Sequence, residues 1–127
     1  MCFIGMTLIP SANMNRFNRT LEFEREYRRL SKRYRSLAED LAFFEGVLYE
    51  FPTGNGSKFV ILHNGADYAV LKARLMCRAL RDSSLRIIYV YHKKEQTFCY
   101  LELYYKGDKE NEDRERIKEY LKSHSTQ

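Results

Sequence analysis

The spacing of apolar residues changes from a helical to a strand pattern near residue 52 of this 127-residue chain. Before that point, apolar side chains recur at steps of three and four residues, as they do on one face of a helix. After it, they alternate with polar side chains, as in strands that bury one face. A chain patterned in this order is expected to fold as an α+β protein, with helices first and a sheet after them.

Two helices are predicted in the first part of the chain. One covers residues 22–34, and the other follows Ser36, which with Glu39 forms the sequence pattern of a capping box. Pro52 ends the second helix. Because only a residue or two around Arg35 separate the two helices, we expect them to form an antiparallel hairpin.

The second part of the chain predicts about four strands and a short helix. The expected strands are residues 58–63, 68–77, 85–92 and 97–105. Short links between successive strands favour antiparallel pairing. Asn111 is placed to cap a C-terminal helix. The expected architecture is therefore a helical hairpin packed on a twisted antiparallel sheet, with a short helix at the C-terminus.

One domain is expected, because the chain has the size of a single ordinary core and shows no linker or repeat. We interpret residues 14–127 as that domain. Residues 1–13 are expected to be a flexible extension, with an extra strand or arm as the alternative. No apolar run is long enough for a membrane helix, and a signal peptide is not expected. The three scattered cysteines, Cys2, Cys77 and Cys99, favour a reducing cytoplasm.

Positive charge is concentrated in residues 72–94, which hold seven lysines and arginines against one aspartate. Lys72 and Arg74 are two residues apart, so both leave the same face of one strand. Arg86 lies early on the next strand, and antiparallel pairing can bring it to that face. The turn between these strands adds two flanking cations, Arg78 and Arg81. Such a cluster suits phosphate, although a merely solubilising surface is an equal alternative.

Common catalytic motifs are missing from the sequence. There is no G-x-S-x-G, Walker loop, H-E-x-x-H or paired-carboxylate motif. The three histidines, His63, His92 and His124, are isolated from one another in sequence. We therefore predict neither a metal nor another cofactor.

Four segments together resemble the RelE/ParE toxin superfamily. They are FEREYRRLSKRY (23–34), LKARL (71–75), SSLRIIYVY (83–91) and LELYYKGDK (101–109). The first is similar to the first helix of that family, and the others to its K-x-[KR]-L strand, its [GS]-x-R-[IVL]-[IVL]-Y strand and its final strand and turn. The resemblance covers about residues 20–122.

The resemblance implies a cytoplasmic toxin of a type II toxin–antitoxin system, neutralised by a cognate antitoxin protein. The RelE-like branch is an endoribonuclease, or mRNA interferase, that cleaves mRNA, usually on the ribosome and without a metal. We take this as the leading interpretation. The alternative is a ParE-like inhibitor of DNA gyrase, or a degenerate, non-catalytic protein that only binds its antitoxin. A generic RNA-binding protein is a third possibility.

The resemblance also implies roles for individual residues. In the cleaving branch the ribose 2′-OH attacks the adjacent phosphate, which requires a base, cations and an acid. By motif match, Lys72 and Arg74 would hold and polarise the RNA backbone, and Arg86 would neutralise the charge that develops on the phosphate. Lys106 and Lys109 would lie near the active edge.

The proton-transfer group is the least defined part of this interpretation. Residues 107–116 lack the Tyr or His that active members often carry after the last strand. Strand alternation is expected to place Tyr104 near the site, on one face with three neighbours: Phe98, Tyr100 and Glu102. The sequence leaves three alternatives open, namely Lys72 or Lys106 as the base, weak activity, or a different target.

Overall fold

The structure is a computed structural model that describes residues 16–80 and 84–124. Within these ranges it has five strands: β1 (Phe17–Arg19), β2 (Phe59–Asn64), β3 (Tyr68–Met76), β4 (Ser84–His92) and β5 (Thr97–Tyr105). It also has three helices: α1 (Leu21–Arg33), α2 (Leu37–Glu50) and α3 (Arg114–His124). The α+β class is therefore confirmed. The extension predicted for residues 1–13 lies outside the described part of the chain.

The five strands form one mixed sheet in the order β1-β5-β4-β3-β2. All neighbours are antiparallel except β1, which pairs parallel to β5. The prediction of about four antiparallel strands is thus wrong at one edge of the sheet. With only three residues, β1 is too short for strand alternation to show in the sequence.

Helices α1 and α2 cover one face of the sheet, which we call the helix face. The Thr20 hydroxyl caps α1 by accepting a hydrogen bond of 3.2 Å from the Phe23 backbone N–H. Helix α1 buries Phe23 and Leu30, and α2 buries one apolar stripe along its length. These side chains pack on strand residues of the main core, including Leu71, Leu75, Ile87 and Tyr89. Burial of this apolar face is what holds both helices on the sheet.

The predicted capping box at the start of α2 is not formed, because Ser36 is itself helical in conformation and makes no side-chain cap. Its hydroxyl instead donates a hydrogen bond of 2.6 Å to Asp40 and accepts one of 3.1 Å from the Ala79 backbone N–H. Ser36 therefore ties the helix to the chain that follows β3.

The opposite face of the sheet carries Lys72, Arg74 and Arg86, and we call it the cation face. Helix α3 covers the apolar part of this face. Its side chains Ile117, Tyr120 and Leu121 pack on a second cluster of buried strand residues, Val70, Ile88, Val90, Cys99 and Leu101. None of the helices in the described ranges is long and apolar enough to cross a membrane.

Asp113, rather than Asn111, caps α3. Its carboxylate accepts a hydrogen bond of 3.1 Å from the Arg116 backbone N–H, three residues on. The Asp113 backbone N–H in turn donates to a buried carboxylate of β5, Glu102, at 2.8 Å. The start of the helix is therefore set by a contact with the sheet, which local sequence does not encode.

A β-bulge at Leu101 shifts the register of β5. Glu102 pairs with Ile88, but Tyr100 pairs with the next residue of β4, so Leu101 is extra. Arg116 donates a hydrogen bond of 2.9 Å to the freed Leu101 carbonyl. As a consequence, Phe98 and Tyr100 lie on the helix face, whereas Tyr104 lies on the cation face. The prediction that all three share one face with Glu102 is wrong for Phe98 and Tyr100.

A candidate phosphate site on the cation face

Two arginines and a tyrosine form a row across three neighbouring strands, near one end of each strand. Arg74 on β3 is paired directly with Arg86 on β4, and Arg86 with Tyr104 on β5. Directly paired residues project from the same side of a sheet, with their Cβ atoms about 5 Å apart. The shared cation face expected from the spacing is therefore present, and Tyr104 extends it. We call these three residues the arginine row.

The two arginines of the row differ in how firmly they are held. The Nη1 atom of Arg86 donates hydrogen bonds to both the carbonyl and the hydroxyl of Ser84, at 3.2 and 2.8 Å. Arg74 is exposed, and its guanidinium makes no ion pair or hydrogen bond with any residue that the structure describes. Like charges facing each other across strands repel. An anion bound between them would relieve that repulsion.

Lys72 is already engaged. Its Nζ atom lies 2.9 Å from Oε1 of Glu112, whose other oxygen is 2.8 Å from Arg114. The Glu112 side chain is only 3% exposed, and that of Lys72 is 25% exposed. Burial alone would raise the pKa of Glu112, but the hydrogen bond from Lys72 and the nearby positive charges outweigh it and lower that pKa. Glu112 is therefore ionised at neutral pH and balances the charge of Lys72.

A second buried carboxylate holds the segment after β5 across the end of the sheet. Glu102 is almost fully buried, forms an ion pair with Lys109, and accepts the Asp113 backbone N–H. The Lys109 ammonium also lies 5.6 Å from the centre of the Tyr104 ring. Together with the Glu112 contact to Lys72, this places residues 109–113 beside the arginine row.

Tyr104 is buried, and burial raises the pKa of its phenol to about 12. The carboxylates of Glu112 and Glu102 act in the same direction, whereas Arg86 acts against them. The phenol is therefore protonated at neutral pH. In that state it can donate a hydrogen bond or a proton, but it cannot serve as a base.

The remaining predicted site residues are dispersed. Lys106 is exposed in the turn after β5. Arg78 is held by two carboxylates of α2, pairing with Glu39 and, at 3.1 Å, with Asp40. Arg81 lies outside the described residues. Within the described chain, the arginine row is thus the part of the predicted cluster that stays together.

Glu102, Glu112 and Ser84 are site residues that sequence reasoning did not select. Glu102 carried a usable signal, because a carboxylate inside an apolar strand has to find a partner if it is buried. Glu112 carried none, since it lies in a polar segment 40 residues from Lys72. Only the path of the chain brings the two together.

In the part of the chain that the structure describes, no group of three or more His, Cys, Asp or Glu side chains is placed to hold a metal ion. Comparison with protein-family profiles, with curated proteins and with solved structures finds no match to this chain. The resemblance to the RelE/ParE superfamily therefore remains a prediction that rests on the four motifs.

Proposed function

We propose that this chain is the toxin of a type II toxin–antitoxin system and that it acts in the cytoplasm as an RNA-cleaving enzyme, on mRNA at the ribosome. The observation that supports this most is the arginine row. Two guanidinium groups face each other in register beside a protonated phenol, on the strands that carry the family-like motifs. Guanidinium groups carry the charge and the planar set of N–H donors that bind phosphate oxygens.

The proposed reaction is attack of a ribose 2′-OH on the adjacent phosphorus. The O2′–P bond forms and the P–O5′ bond breaks, which leaves a cyclic phosphate and a free 5′-hydroxyl. Arg74 and Arg86 would stabilise the pentacoordinate phosphate. Tyr104 would give its proton to the leaving O5′. Lys106 is the remaining candidate for the base among the two lysines considered, because Lys72 is held by Glu112.

A second function is favoured by the engagement of Lys72. Lys72 is paired with Glu112, and Lys109 is paired with Glu102. If these lysines serve only to hold the two carboxylates, the cation face keeps its arginines for binding a partner but has few groups for proton transfer. That arrangement fits a toxin-fold protein that inhibits gyrase, or one that only binds its antitoxin.

Replacement of Arg86 tests the proposal. We expect Arg86→Ala to reduce cleavage of an RNA substrate by about 100- to 1000-fold, the usual effect of removing one group that stabilises a transition state. It should also abolish growth arrest on induction without the partner protein. Arg28→Ala is the matched control, because Arg28 is an exposed arginine of α1. Thermal melts of both variants establish that they are folded.

Each outcome separates the candidates. Full cleavage and full arrest by Arg86→Ala would rule out the assigned role of Arg86. Arrest by the native chain with a DNA-damage response and intact mRNA would point to gyrase. Binding of RNA without cleavage, or no arrest at all, would favour the non-catalytic alternative.

A further inference from the structure

The arginine row continues toward the edge of the sheet through Lys58, the residue immediately before β2. The Arg74 backbone N–H donates a hydrogen bond of 3.0 Å to the Lys58 carbonyl. Val60 is paired with Lys72 in the β2–β3 register, and the same register sets Lys58 opposite Arg74. Residues opposite each other in a sheet project from the same side. Lys58 therefore extends the cation face by one strand beyond Arg74, and both residues line one cavity at this edge.

This end of the row carries positive charge that no described carboxylate balances. Lys58 is exposed and makes no ion pair with any residue that the structure describes, and the same holds for Arg74. The two buried carboxylates of the cation face, Glu102 and Glu112, are already paired with lysines. Unbalanced cations on one surface attract a polyanion.

The row from Lys58 to Arg86 is longer than a site for one phosphate requires. Neighbouring strands are about 4.8 Å apart, so the Lys58 backbone lies about 10 Å from that of Arg86. The Arg86 guanidinium is held along its own strand by two hydrogen bonds to Ser84. A phosphate between the two arginines thus leaves Lys58 beyond it. A polynucleotide carries a further phosphate at each nucleotide, which can occupy that position.

We propose that Lys58 binds the phosphate next to the one held by Arg74 and Arg86, so that the β2 edge forms an outer part of the RNA-binding surface. The proposed function is the basis of this inference, and Lys58 adds a substrate contact to it. A lysine ammonium on a flexible stem suits that role, because it supplies charge without the fixed geometry of a guanidinium. Lys58 thus contributes to substrate affinity, and stabilisation of the transition state stays with the arginines.

Exposed apolar side chains beside these cations favour an RNA strand over a free phosphate ion. Val60 is 49% exposed and lies two residues after Lys58, and Met76 is 50% exposed and lies two residues after Arg74. Residues two apart on a strand share a face, so both project from the cation face. The base faces and ribose carbons of an unpaired strand can cover such a surface, whereas a phosphate ion cannot. The expected ligand is therefore a single-stranded polynucleotide.

Fluorescence anisotropy over a range of salt concentrations tests this role of Lys58 in the full 127-residue chain. The probe is a short labelled RNA with a 2′-O-methyl group on every ribose, which removes the attacking hydroxyl and prevents cleavage. Each phosphate contact of a single strand contributes about 0.7 to the slope of log K against log salt, so Lys58→Met should reduce that slope by about 0.7. Referred to 1 M salt, the same relation corresponds to about an eightfold loss of affinity at 50 mM salt.

Lys94→Met is the matched control. Lys94 is an exposed lysine of the turn between β4 and β5, at the opposite end of the sheet, and it has no ion pair with a described residue. Its replacement removes the same charge but should leave the slope unchanged. Lys58→Arg keeps the charge and should retain the native slope. Because both lysines are exposed, thermal melts of these variants should match that of the native chain.

Cleavage kinetics separate substrate binding from catalysis. Lys58→Met should raise KM with little change in kcat, since a contact that is equally strong in the ground state and the transition state contributes to binding alone. A fall in kcat comparable to that of Arg86→Ala would place Lys58 on the reacting phosphate and overturn the proposal.

Equal slopes and affinities for Lys58→Met and Lys94→Met would also overturn it and leave Lys58 as a solubilising charge. If Arg86→Ala loses cleavage while Lys58→Met behaves like its control, the proposed function stands and the extension of the site fails. If the native chain neither binds nor cuts RNA, the proposed function itself fails, and the extension fails with it.

Discussion

The ion pair between Lys72 and Glu112 predicts an asymmetry between its two single replacements. In Lys72→Met the stem of the side chain is kept, but a carboxylate that is only 3% exposed loses one of its two ion-pair partners. In Glu112→Gln the group left behind is an ammonium that is 25% exposed, which water can reach. Lys72→Met should therefore be the more destabilising change.

The magnitudes follow from burial. Removing one partner of a fully buried pair costs about 3–5 kcal/mol. Lys72→Met should fall near the lower end, at about 3 kcal/mol, because Arg114 still contacts Glu112. Glu112→Gln should cost about 1–2 kcal/mol, since the amide can still accept a hydrogen bond from Lys72 and that ammonium is partly hydrated.

Urea unfolding followed by circular dichroism at neutral pH measures both variants and the double replacement. The double variant should cost less than the two single variants together, because the penalty of an unpaired buried charge then disappears. An equal or reversed order of the single variants, or strict additivity, would refute the argument from burial.

The pH dependence of the same pair gives an independent check. The pKa of Glu112 is lowered in the folded chain from its ordinary 4.5, so its stabilising contribution is complete above that value. It is lost as the pH falls through the folded pKa. The stability gap between the native chain and Glu112→Gln should thus be constant near neutrality and narrow below about pH 4.5. A gap that stays constant into strong acid would contradict this assignment.

Two further changes are predicted. Gly54 has a φ of +92°, and a Cβ there would overlap the Phe59 ring, so Gly54→Ala should lower the unfolding free energy by at least about 1 kcal/mol in urea titrations. His92 is hydrogen-bonded to Tyr120 at 2.7 Å, and its pKa is lowered. The larger cause is burial, and the nearby His124 adds to it. The unfolded chain therefore binds the proton more readily, so thermal stability should rise with pH up to about 6.5. His92→Gln should flatten that rise, and a variant with the same slope as the native chain would contradict the prediction.

The helices and strands of this fold could be predicted from the sequence because each depends on a local pattern of apolar residues. The four predicted strands and the first helix agree with the structure to within one residue at each end. Alternation in a strand and a step of three or four in a helix are properties of the backbone geometry itself. The shared face of Lys72 and Arg74 followed from the same geometry, and the in-register pairing then brought Arg86 to that face.

The elements that the sequence did not predict depend on long-range contacts. Strand β1 exists because β5 offers its edge, and the bulge at Leu101 is stabilised by Arg116, which lies beyond the sheet. A one-residue bulge reverses the face of every residue before it, which is why Phe98 and Tyr100 were assigned to the wrong face. No local pattern signals such a shift.

The sequence by itself determined the order of helices and strands and the placement of Lys72 and Arg74 on one sheet face, since both are set by backbone periodicity, whereas Arg86 reaches that face through the pairing of β4 with β3. The tertiary structure decided which of those cations is available. It brings Glu112 across 40 residues of chain to balance Lys72, and leaves Arg74 without a described ionic partner beside Arg86. Residue type and spacing determine from which face of a strand a charged side chain projects. Whether that charge is balanced by an ion pair depends on which residues the folded chain brings next to it.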